Sequence, residues 1–145
     1  TLSRFAAASG GPSPRHPAGI PLWKPPYSRI TAIDLNSGEH LWMKPAGYTP
    51  DRVKNLPALD GVDIGNTGSG AVGQMVATGN MLIYSNMSSD GTPHLYALDK
   101  NTGEELAKVE VPSGTRYGMS SWVHEGKQYV ILQTGSTLTA LALAD

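Results

Sequence analysis

Four histidines, two nearby aspartates and one Gly-x-Gly-x-x-Gly run are the residues of this chain whose types and spacing could do chemistry. His16, His40, His94 and His124 lie far apart, with none of the His-x-x-x-His or His-x-His spacings that bring two imidazoles to one metal. They read as surface or edge residues. Asp60 and Asp63 could share a proton in acid–base work, but in a Gly- and Pro-rich stretch they read as turn formers whose carboxylates accept backbone N–H bonds. Gly68-Ser69-Gly70-Ala71-Val72-Gly73 has the spacing of a dinucleotide loop, yet a strand pattern follows it. Without a helix N-terminus the run has no physical reason to hold a phosphate. No Gly-x-Ser-x-Gly elbow occurs, and the absence of cysteine excludes a thiolate zinc site, a cysteine nucleophile and a disulfide framework.

Charge excludes further classes. The chain of 145 residues has a formal net charge of −1, and its 11 basic residues are scattered, so no nucleic-acid partner is indicated. No apolar run reaches the roughly 18 residues of a membrane span. The chain opens Thr1-Leu2-Ser3, with neither an initiator methionine nor a signal-peptide pattern, which reads as a start inside a longer protein. Its 17 glycines and 11 prolines call for many turns between short elements.

The elements follow from that punctuation. Residues 1–28, with Gly10-Gly11-Pro12, Pro14, Pro17, Pro21 and Pro25-Pro26, read as an extended arm, because proline fixes φ and removes a donor. Residues 29–44 read as two strands, Arg29–Asp34 and Glu39–Lys44, and residues 45–71 as a long loop. Four strands are predicted within 72–111: Gln74–Thr78, Met81–Asn86, His94–Asp99 and Glu104–Val111. Three more are predicted within 117–143: Gly118–His124, Lys127–Thr134 and Thr137–Leu143. Gly79-Asn80, Asn101-Thr102-Gly103 and Glu125-Gly126 are hairpin chemistry. The chain is predicted to be all-β.

One stretch recurs. Ala32-Ile33-Asp34-Leu35-Asn36-Ser37-Gly38-Glu39-His40-Leu41-Trp42 aligns with Ala97-Leu98-Asp99-Lys100-Asn101-Thr102-Gly103-Glu104-Glu105-Leu106-Ala107, and Leu138-Thr139-Ala140-Leu141 is a partial third copy. The aspartate can accept N–H bonds from the turn that follows, and glycine takes the positive φ there. The small alanine leaves room for a bulky neighbour, and the tryptophan on the returning strand offers a large apolar face. Stacked copies of such a unit bury each other's faces.

Ala-x-Asp-x-x-Ser/Thr-Gly-x-x-x-Trp resembles the tryptophan-docking motif of the pyrroloquinoline quinone (PQQ) dehydrogenases, so Ala32, Asp34, Gly38, Trp42, Ala97, Asp99, Thr102 and Gly103 are its docking residues here. Gly19-Ile20-Pro21-Leu22-Trp23-Lys24-Pro25-Pro26-Tyr27, followed by Ile30-Thr31-Ala32-Ile33-Asp34-Leu35, is similar to the membrane-bound glucose dehydrogenase branch. Met75–Tyr84, Leu95–Asp99 with Thr102-Gly103-Glu104, and Gly126-Lys127-Gln128-Tyr129-Val130-Ile131 resemble later segments of that family in the same order. At position 107 alanine stands in place of the motif's tryptophan.

The resemblance implies a partial β-propeller: two strands ending one blade, one complete four-stranded blade, and three strands of a last blade. It implies the C-terminal segment of a periplasmic sugar or alcohol dehydrogenase that uses PQQ and calcium. The calcium ligands and catalytic aspartate of that family lie in earlier blades, so no catalytic or metal residue is assigned here and the chain alone is expected to bind neither group. Gly135 is the one position matching the family's Gly-Gly cofactor loop, since Ser136-Thr137 replaces the rest. Asp90 falls near an acidic residue of the glucose branch, though Asp90-Gly91 is also an ordinary turn pair. The implied partners are the remaining blades or a second copy of the chain. A non-catalytic propeller-repeat module, binding another protein or itself through open sheet edges, stays open as the alternative. Strand spacing alone also permits an unrelated β-sandwich.

Overall fold

Short β-prone runs broken by Gly, Asn and Pro give ten strands in three antiparallel sheets, and the computed structural model describes residues 3–9, 16–71, 73–115 and 117–142 of the chain. The first sheet has the order β1-β2-β3, from β1 (Ser3–Ser9), β2 (Ser28–Asp34) and β3 (His40–Pro45). The second is β4-β5-β6-β7, from β4 (Met75–Ala77), β5 (Met81–Met87), β6 (Pro93–Asp99) and β7 (Glu105–Glu110). The third contains β8 (Met119–His124), β9 (Lys127–Thr134) and β10 (Thr137–Ala142), with β9 in the middle. Neighbours in sequence are neighbours in each sheet, as short hairpin connections require.

Two features depart from the sequence expectation. Strand β1 lies inside the stretch read as an irregular arm, and it pairs with β2 from Ser3↔Asp34 to Ser9↔Ser28. The reason is local: the prolines begin at Pro12, so the run from residue 3 to residue 9 keeps every backbone donor for the ladder. The first sheet therefore has three strands where two were predicted. Pro12 and Pro14 lie outside the described residues, as do Val72 and the end of the last predicted strand at Leu143. The second departure is in the 45–71 loop, which contains a helical turn, α1 (Asp51–Lys54), and a 3-10 turn at Pro57–Leu59. Pro50 precedes α1 at φ −60 and Asp51 opens it, the residue types that favour a helix start, but one turn is too short to show a period.

The chain divides into two compact units: residues 1–72 with 87–92, and residues 73–86 with 93–145. In the first, Ile30 and Ala32 on β2 are fully buried. Ser28, Thr49 and Thr67 are buried polar residues of the same unit. In the second unit, β9 alternates: Val130, Leu132 and Thr134 are buried, and the residues between them are half-covered. Val130 and Leu132 pack with Leu95 of β6 and Val111, flanked by Ile83, Met119 and Leu141. Two sheets are thereby joined face to face. Burying each such side chain contributes about 1.5–3 kcal/mol, which makes this cluster the main hold on the unit.

Candidate functional site

The repeat is built the same way twice. The Asp34 carboxylate accepts the backbone N–H of Asn36 at 2.7 Å and of Ser37 at 3.4 Å. The Asp99 carboxylate accepts those of Asn101 at 2.8 Å and Thr102 at 2.9 Å. In each copy the glycine donates back to the aspartate carbonyl at 2.8 Å, Gly38 to Asp34 and Gly103 to Asp99. Those glycines sit at φ +77 and +75, where a side chain would be strained. Each turn also places a register shift one residue after its alanine, at Ala32/Ile33 and at Ala97/Leu98. The N–H bonds from Thr102, then Asn101, hold the Asp99 carboxyl below its ordinary value.

Strand pairing sets Ala32 directly opposite Trp42, and Ala97 directly opposite Ala107. Ala32 is fully buried and Trp42 half-buried, whereas Ala97 is half-buried and Ala107 exposed. Cross-strand partners share a sheet face, so the indole of Trp42 stands on the side of the sheet that carries Ala32. All eight residues of the motif thus fall in two turn-and-ladder units.

A second constellation, which no sequence motif singled out, closes the 45–71 loop. The Thr49 hydroxyl accepts the N–H of Thr67 at 2.7 Å and donates to the Gly65 carbonyl at 3.1 Å. The Asn66 side-chain oxygen accepts from Thr49 N–H at 3.1 Å and Gly68 N–H at 2.9 Å, while its amide donates to the Gly47 carbonyl at 3.0 Å. Ser28 donates to the Ala46 carbonyl at 2.8 Å and accepts Gly70 N–H at 3.1 Å. Gly68, at φ +74, brings its backbone so close to Ser28 that an added Cβ would lie 2.4 Å from the Ser28 carbonyl oxygen. The Gly65–Gly70 run is therefore occupied with binding its own loop, and a strand, β4, follows it. The one legible signal was its density of glycines beside Asn66, Thr67 and Ser69.

The other candidates stay apart. Gly135 sits at φ +65 in the exposed β9–β10 turn, with nothing within 4 Å of where a Cβ would stand; Gln133 donates to its carbonyl at 3.0 Å. It offers backbone atoms and no cradle. His16 takes the Ala18 N–H at 3.2 Å, and His124 lies 3.9 Å from the exposed Glu125 carboxylate. Asp63 accepts the Gly65 N–H at 2.9 Å, a turn role. Asp90 accepts the Ser88 hydroxyl and both the N–H and hydroxyl of Thr92, which together lower its pKa to about 2. Each hydrogen bond closes the Ser88–Thr92 turn. Trp122 stacks on Tyr129, with centroids 5.2 Å apart on paired strands β8 and β9, while Trp23 is exposed beside the cis Pro25–Pro26 bond. No group of three or more His, Asp or Glu that could hold a metal ion occurs among the described residues.

Comparison with known proteins gives a consistent match. The family model described as "PQQ: Glucose/ethanol/alcohol dehydrogenase, beta-propeller domain" covers residues 7–130. The chain is similar to Quinoprotein glucose dehydrogenase A of Acinetobacter calcoaceticus, 29% identical over 119 residues, covering 82% of this chain and 14% of that protein. It is 34% identical over 124 residues to the "Probable quinate dehydrogenase (quinone)" of Xanthomonas campestris pv. juglandis, covering 81% and 15%. It is 30% identical over 119 residues to the Glycerol dehydrogenase large subunit of Gluconobacter thailandicus, again covering 81% and 15%. The chain spans only 14–15% of the length of these curated relatives.

Proposed function

The chain belongs to the family of PQQ glucose/ethanol/alcohol dehydrogenase β-propellers, and from that premise we propose that it is the C-terminal segment of a periplasmic, PQQ- and calcium-dependent sugar or alcohol dehydrogenase. Its part is to complete the propeller, with quinone, metal and catalytic base held by other blades. The observation that carries this reading is the pair of identically hydrogen-bonded turn units lying within the matched residues. In the whole propeller Trp42 docks against the neighbouring blade, and Gly135 marks where the segment comes nearest the quinone. The donor chemistry supports the division of labour: Asp34, Asp63, Asp90 and Asp99 are each committed to their own turns. Residues in that state serve scaffold geometry, and a calcium site needs several free oxygen donors converging on one point.

The remaining blades are the proposed partners. The three named relatives suggest a hydroxylated substrate in the range of sugars, polyols and cyclic alcohols. The purified chain, supplied with PQQ, calcium and a dye acceptor, is expected to oxidise glucose, quinate and glycerol no faster than the cofactor alone. Dye reduction above that background with any of the three overturns the reading.

A further inference from the structure

Asp-Gly occurs twice in this chain, at Asp60-Gly61 and at Asp90-Gly91, and the two pairs sit in opposite surroundings. Each holds the parts of one intramolecular reaction: a side-chain carboxyl carbon and, next along the chain, a backbone nitrogen that no side chain crowds. In the Ser88–Thr92 turn both parts are tied. The Asp90 carboxylate accepts the Ser88 hydroxyl, and it accepts the N–H and the hydroxyl of Thr92, each at 2.9 Å. The Gly91 N–H donates to the Ser88 carbonyl at 3.1 Å. With its pKa lowered to about 2, Asp90 also spends little time in the protonated form whose hydroxyl can leave.

At Asp60-Gly61 both parts are free. The turn is closed around them, by Val62 N–H on the Leu59 carbonyl at 3.0 Å, while Asp60 N–H donates to the Pro57 carbonyl at 3.3 Å. Neither the Asp60 carboxylate nor the Gly61 N–H has a hydrogen-bond partner among the described residues. Both residues are exposed, and a Cβ on Gly61 would meet nothing within 4 Å. Every bond in this contrast joins residues at most four apart, so the difference between the pairs is local.

We propose that Asp60-Gly61 is a site of spontaneous isoaspartate formation, and that Asp90-Gly91 is protected from the same change by its own turn. The Gly61 nitrogen attacks Cγ of the protonated Asp60 side chain. The new N–Cγ bond closes a succinimide ring, and the amide proton leaves with the carboxyl hydroxyl as water. Water then adds back at one of the ring carbonyls. Breaking the Cγ–N bond restores aspartate, whereas breaking the bond from the backbone carbonyl carbon to nitrogen routes the chain through Cβ and Cγ as isoaspartate. No oxidant or cofactor enters, and the site is independent of the dehydrogenase role.

The test is incubation of the full chain at neutral pH, folded below its melting temperature and unfolded in urea, followed by peptide mapping that separates aspartyl from isoaspartyl forms. In the folded chain isoaspartate is expected to accumulate at Asp60 at least about tenfold faster than at Asp90, the factor set by hydrogen bonds that must break before Gly91 can attack. In urea the two rates are expected to converge, because each pair is then Asp-Gly in an open chain. Equal rates in the folded chain overturn the proposal, as does an unmodified Asp60 over a time in which the unfolded chain forms isoaspartate there. So does a rate difference that survives unchanged in urea, since the turns would then not be its cause.

Discussion

The two repeats share one turn and differ in everything around it. Asp34 and Asp99 cap their turns with the same bonds, yet the first repeat sets Trp42 opposite its buried alanine and the second sets only Ala107 opposite the half-buried Ala97. The units that carry them differ in the same sense. The first is closed by a buried hydroxyl and amide network on Ser28, Thr49, Asn66 and Thr67, the second by an apolar cluster on Leu95, Val111, Val130 and Leu132. Turn chemistry is thus local and repeats faithfully, whereas the packing that surrounds it is set by residues far away in sequence.

That contrast can be broken from the apolar side first. Leu132 is 1% exposed, and Leu132→Ala removes the centre of the second unit's cluster at a cost of about 3 kcal/mol, read from urea unfolding. A loss under about 1 kcal/mol would mean that the cluster does not hold the sheets together. The polar closure is next. Thr49→Val keeps the shape and deletes the oxygen that accepts Thr67 N–H, leaving a buried donor unpaired at a cost of about 2 kcal/mol. Hydrogen exchange should localise its effect to Gly65–Gly70. Smaller still is Gly38→Ala. A Cβ there meets nothing within 4 Å, so only the φ of +77 opposes it, at about 1 kcal/mol.

The smallest effect is electrostatic and distinguishes the turns by pH. The Asp99 carboxyl is held below its ordinary value by N–H donors of the folded turn. Its contribution to stability is therefore present above the unfolded carboxylate pKa, near 4, and fades as pH falls through the lower folded value. The melting temperature of Asp99→Ala should trail the wild type at pH 6 and converge on it in acid. A gap that persists unchanged at low pH would show that the ionised carboxylate is not what the turn uses.

Much of this was legible in the residues. Asp-x-Asn-Ser/Thr-Gly needs only its own five positions to form, so both turns, and the strands on either side, are legible from the residues alone. The family followed from the order of several such segments. What stayed hidden depends on partners distant in sequence. Strand β1 was masked by the prolines that follow it, because averaging over residues 1–28 spread their effect onto a run that has none. The Thr49–Thr67 bond joins residues 18 apart within what read as loop, and no periodicity reports such a pair.

The central claim is that these residues are propeller scaffold and hold no quinone site by themselves. Calorimetric titration of the purified chain with PQQ in saturating calcium tests it directly. The account predicts no saturable binding tighter than about 1 mM. Micromolar binding that disappears on calcium chelation, and on Gly135→Trp, would contradict it.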